Sequence, residues 1–116
     1  MKKITAFFLL TIGVQTQAGS WATAAVPGTI EIQGGNGLMI WAEIGNPENC
    51  NGGANVFFVE KDHPQYDQIY ATILAAKMSG KKIQPYIHDC KPVTWHSMPS
   101  VQYNTLTPSG AIYLRD

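Results

Sequence analysis

Three histidines, two cysteines and eight carboxylates are the side chains here that do acid–base, nucleophilic or metal chemistry. His63, His88 and His96 are scattered along the chain. A metal centre would need His88, His96 and a carboxylate to converge in one shell, and their spacing does not impose that. The zinc-protease H-E-x-x-H, the G-x-S-x-G elbow, C-x-x-C and the phosphate-binding loop do not occur in the sequence. Glu43 and Glu60 would serve as an acid–base pair only if brought together. Both sit at the ends of strand patterns, where a solvated charge is ordinary. Cys50 and Cys90 are the two thiols, and a bridge between them leaves no free nucleophile. These residues are read as non-catalytic, with no cofactor and no metal.

Recognition chemistry is better supplied. Trp and Tyr present an apolar face with a polar handle, which suits sugar rings and protein interfaces. Trp95 lies in the segment 91–99, outside any strong strand pattern, and is expected to be exposed. Tyr86 and His88 stand close by in sequence and complete the candidate ligand-binding set: Trp95, Tyr86 and His88. Trp41, between Ile40 and Ala42, reads as a core residue. Tyr66 and Tyr70 lie on a helical stripe and are assigned to the core or to a subunit interface.

The elements that must position these residues follow from local pattern. Residues 28–33 (GTIEIQ) alternate as a half-buried strand. The cluster Gly34-Gly35-Asn36-Gly37 suits a hairpin turn, and residues 38–44 return. Cys50 falls in a loop bracketed by Asn46-Pro47 and Asn51-Gly52-Gly53. Residues 54–60 form a third strand. The spacing of Tyr66, Ile69, Tyr70, Ile73, Leu74 and Lys77 predicts a helix over 64–79, capped by Asp62 or His63 and stopped by Gly80. Residues 82–88 form a strand entering Cys90, with Pro85 marking an edge or a bulge. Residues 100–106 and 110–115 close the chain as two strands around Thr107-Pro108-Ser109. The order β-β-β-α-β-β-β implies an α+β, mainly β domain, or a small partly open antiparallel barrel with one helix.

Size and charge set the remaining bounds. The chain has 116 residues, 14 % of them charged, with eight basic and eight acidic side chains. That balance argues against a nucleic-acid-binding face of clustered Lys and Arg. Met1-Lys2-Lys3 followed by an apolar run from Ile4 to Val14 has the pattern of a secretory signal. The run is too short to span a membrane, which takes about 20 residues. Small residues at −3 and −1 place cleavage after Ala18 or after Ala24, within a signal region 1–24 that precedes one domain over 25–116. Loss of Lys2 and Lys3 leaves six basic against eight acidic side chains. The product is expected outside the cytoplasm, secreted or periplasmic, where Cys50 and Cys90 pair.

Asp62-His63-Pro64-Gln65-Tyr66, Leu74-Ala75-Ala76, Ser79-Gly80-Lys81 and Cys90 resemble small secreted proteobacterial proteins with a cysteine loop, one helix and a strand running into the second cysteine. The helix–Gly–strand part also resembles the B subunits of AB5 toxins of the subtilase-cytotoxin and pertussis-like kind, and residues 28–33 resemble their first strand. That resemblance implies an OB-fold, a pentameric ring lined by the helix, host-glycan binding and a toxin A subunit as partner. Two positions depart from the subtilase-type pattern. Pro27 stands where a sialic-acid-binding serine precedes the first strand's glycine, and Ile87 stands at the position of a late tyrosine, with Tyr86 beside it. A binding protein for another protein, monomeric and secreted or periplasmic, is the alternative expectation.

Overall fold

The computed structural model describes residues 19–33, 35–93 and 100–116 of the chain. Trp95 and His96 lie outside them, as does the proposed leader through Ala18. Strands β2 (Thr29–Gln33) and β3 (Gly37–Trp41) form the expected antiparallel hairpin, with Ile30 opposite Ile40 and Ile32 opposite Leu38. Strand β4 (Val56–Glu60) pairs antiparallel with β3. Their continuous apolar runs, GLMIW and VFFVE, are explained by cover on both faces. Leu38, Ile40, Phe57 and Val59 point into the main core, while Met39, Val56 and Phe58 join Val93 in a second cluster on the opposite face.

Helix α1 (Tyr66–Ser79) starts two residues later than the pattern predicts. The N-cap position falls on Gln65, with no side-chain cap, and not on Asp62 or His63 as expected; His63 Nδ1 accepts the Gln65 N–H at 3.0 Å in the turn that leads into the helix. At the far end the Lys81 N–H returns to the Ala76 carbonyl at 3.0 Å, which closes the helix at Gly80. Ile69, Ile73 and Ala76 are buried in the main core, with Tyr66 and Tyr70 half-buried against it. Leu74 turns outward instead, together with Ala71, Ala75 and Met78.

The remaining strands depart from the simple reading in an instructive way. The run expected as one strand into Cys90 breaks at His88 into β5 (Lys82–Ile87) and β6 (Asp89–Pro92), which belong to different sheets. The two C-terminal strands, β7 (Gln102–Leu106) and β8 (Ala111–Arg115), are not paired with each other. β7 enters a five-stranded sheet of order β2-β3-β4-β7-β6, parallel to β4 and antiparallel to β6. β8 pairs antiparallel with β5 in a three-stranded sheet completed by β1 (Ser20–Trp21), in the order β1-β5-β8. Among the described residues the sheets do not close into a barrel.

Pro85 is therefore in the central strand of its sheet and in regular register with Ile112, neither at an edge nor at a bulge as expected. The strand tolerates it because the donor it lacks would point to the same side as its carbonyl. That carbonyl accepts the Ala22 N–H at 2.9 Å, just past the short β1, so the ladder to β8 loses nothing.

A disulfide joins Cys50 to Cys90, with their Cα atoms 5.6 Å apart. It ties the β3–β4 loop to β6, and it is compatible with an extracellular or periplasmic location. No helix among the described residues is long and apolar enough to cross a membrane.

Candidate functional site

In antiparallel pairing, residues directly opposite share a face and alternate residues along a strand share it too. Tyr86 lies opposite Trp21 on β1, and Gln84 lies opposite Tyr113 on β8. The inward set of β5 is Ile83, Pro85 and Ile87, all buried. Its outward set, Lys82, Gln84, Tyr86 and the following His88, therefore shares the open face with Trp21, Tyr113 and Arg115.

These side chains form a continuous aromatic row. The Trp21 ring stands 4.7 Å from Tyr86 and 4.7 Å from Tyr113, centroid to centroid. Tyr86 meets the His88 imidazole edge-on at 5.0 Å. Trp21 is 45 % exposed and Tyr113 47 %, so the row is open to solvent from its middle to the Tyr113 end. Polar groups bracket it. Arg115 Nη1 donates to Gln84 Oε1 at 3.1 Å, and Gln84 Nε2 donates to the Ala22 carbonyl at 3.0 Å. The guanidinium carbon lies 6.0 Å from the Tyr113 centroid, a cation–π contact. Large rigid rings, a fixed amide and a guanidinium are recognition chemistry. The row offers no nucleophile–base pair.

Two of the three expected ligand-binding residues, Tyr86 and His88, thus meet on one face. The third, Trp95, lies outside the described residues. The sequence shows Trp21 and Tyr113 as aromatics but does not single them out as site residues: Trp21 lies near the expected mature start and Tyr113 in the last strand pattern, 110–115. Strand alternation in 82–87 and 111–115 does point Tyr86 and Tyr113 outward, but only the sheet order sets them side by side.

The other chemical candidates stay dispersed. Glu43 and Glu60 lie toward opposite ends of the β3–β4 pair, since Trp41 faces Val56 at one end and Gly37 faces Glu60 at the other. Glu60 pairs instead with Lys91 at 3.4 Å. No group of three His, Cys, Asp or Glu fit to hold a metal occurs among the described residues. A separate shallow groove of about 620 Å³ runs between Val26 and Thr29 on one side and Ala42, Glu43 and Asn55 on the other.

Tyr66, an expected interface residue, has its phenol pushed above the ordinary tyrosine value by burial first, then by the neighbouring Asp67 and Tyr70. At the C-terminus, Lys81 donates to Asp116 at 2.8 Å and holds that exposed carboxyl below its usual value.

Compared with protein-family models, curated proteins and solved structures, the chain finds no match in any of the three. The functional reading therefore rests on the geometry of this face.

Proposed function

We propose that this protein is a secreted, non-catalytic binding module that presents the Trp21–Tyr86–Tyr113 row to a glycan. The observation that carries the reading is the open row itself: three rings in contact, two of them about half exposed, bracketed by Gln84, His88 and Arg115. The apolar face of a pyranose ring stacks on an indole or phenol, while its hydroxyls need donors and acceptors at the ring edges. A glycan array with the wild-type protein and the Trp21→Ala and Tyr113→Ala variants tests this. Wild-type binding and at least a tenfold weaker signal in both variants are expected. A wild-type protein that binds no glycan sinks the proposal, as do variants that bind as well as the parent.

Assembly of copies into a ring is part of the same proposal, together with an OB-like organisation. The five-strand order supports the OB-like reading, with β4 and β7 parallel and the helix inserted after β4. The outward helix face supports assembly. Ala71, Leu74, Ala75 and Met78 follow helical spacing and all four are exposed, Met78 at 79 %. An isolated helix face normally carries polar residues there. Native mass spectrometry is expected to show a closed oligomer that Leu74→Glu with Met78→Glu reduces to monomer. A monomer in the wild type, at concentrations well above micromolar, counts against assembly.

A further inference from the structure

The signal pattern leaves two cleavage points open, after Ala18 and after Ala24, and the two products differ by residues 19–24. We infer that the leader is removed after Ala18 and that the working chain begins at Gly19. The inference rests on the reading of the first residues as an export leader, and what decides it is the work residues 19–24 do in the fold.

Ser20 and Trp21 form β1, opposite Ile87 and Tyr86. The Ala22 N–H donates to the Pro85 carbonyl at 2.9 Å, and the Ala22 carbonyl accepts from Gln84 Nε2 at 3.0 Å. The Thr23 N–H donates to the Ile44 carbonyl at 3.0 Å. The Ala22 side chain is 4 % exposed and belongs to the main core. Cutting after Ala24 removes all of these partners. It removes β1 from the edge of β5 while keeping the Ala25–Ile83 bridge, leaves the Pro85 and Ile44 carbonyls without those donors, and deletes Trp21, the ring that touches both Tyr86 and Tyr113.

Gly19 is itself seated against the fold. Its backbone has φ +82°, in the left-handed region that favours glycine. A Cβ there would stand 2.9 Å from both His88 Nδ1 and the Ile87 carbonyl oxygen. A leader residue that is cut away and discarded has no use for such a close fit. A glycine seated against His88 at the end of the aromatic row belongs to the retained chain. Signal peptidase needs small residues at −3 and −1, and Thr16-Gln17-Ala18 supplies them immediately before Gly19.

The test is to express the full 116-residue precursor in a bacterial host with an export pathway. The processed protein is then recovered and read by N-terminal sequencing and intact mass. A chain starting at Gly19 is expected. A chain starting at Ala25 overturns the inference while keeping the leader, and an exported but uncut precursor overturns the leader reading itself. A second measurement compares purified chains of residues 19–116 and 25–116 by thermal melting. The longer chain is expected to melt several degrees higher and to keep tryptophan fluorescence from Trp21 that the shorter one lacks. Equal melting temperatures would show that the segment contributes nothing and would remove the basis of the inference.

Discussion

Asn104 is the polar side chain most deeply committed to this structure. It is fully buried in β7, its Oδ1 accepts the Glu48 N–H at 3.0 Å, and its Nδ2 donates to Asn46 Oδ1 at 2.8 Å. Asn46 in turn accepts the Cys50 N–H at 2.8 Å and donates to the Cys50 carbonyl at 2.9 Å. Two amides thereby fasten the cysteine loop to an inner strand of the five-stranded sheet. Removing one partner leaves buried donors and acceptors unsatisfied, so Asn104→Ala is expected to cost about 2 kcal/mol. Urea denaturation reads this as a lower midpoint at unchanged slope, and an unchanged midpoint would count against the role. Nothing in the sequence marked Asn104, because its partners lie more than fifty residues away in the chain. The disulfide was legible from cysteine count and compartment. The amide network that seats it was not.

At the scale of elements, Gly37 is the tightest joint. It sits where the hairpin turn enters β3, with φ +147°, and a Cβ there would lie 2.1 Å from the Val59 carbonyl oxygen. No rotamer relieves a clash between a Cβ and a backbone oxygen, so β3 and β4 would have to separate. Gly37→Ala is expected to lose at least about 2 kcal/mol, measured as a drop in thermal midpoint of several degrees. A midpoint within one degree of wild type would refute the assignment. The hairpin, β4 and the helix were legible because their signals are local: alternation, a glycine turn, a four-residue stripe. The partition into two sheets was not, because it rests on pairings between distant segments. The break at His88 leaves no local mark beyond Pro85, whose tolerance depends on β1. The aromatic row inherits this limit, since each ring is visible in the sequence and their adjacency is a product of sheet order.

For the molecule as a whole, the Cys50–Cys90 bridge is the largest single contribution that can be removed without changing a residue. It spans 40 residues of chain, and a loop of that size is worth about 4 kcal/mol in the chain-entropy account. For so small a domain this is a large share of net stability. Reduction with alkylation is expected to lower the melting temperature by well over ten degrees, or to unfold the protein near body temperature. A reduced protein that melts like the oxidised one would show that the bridge is incidental.

The three-stranded sheet draws β1 from the start of the described chain, β5 from beyond the helix and β8 from the last residues. Until β8 has been made, that sheet cannot be complete. Pairings between remote segments also form slowly compared with local ones. The five-stranded sheet needs nothing beyond β7, whereas the face that carries Trp21, Tyr86 and Tyr113 waits for β8.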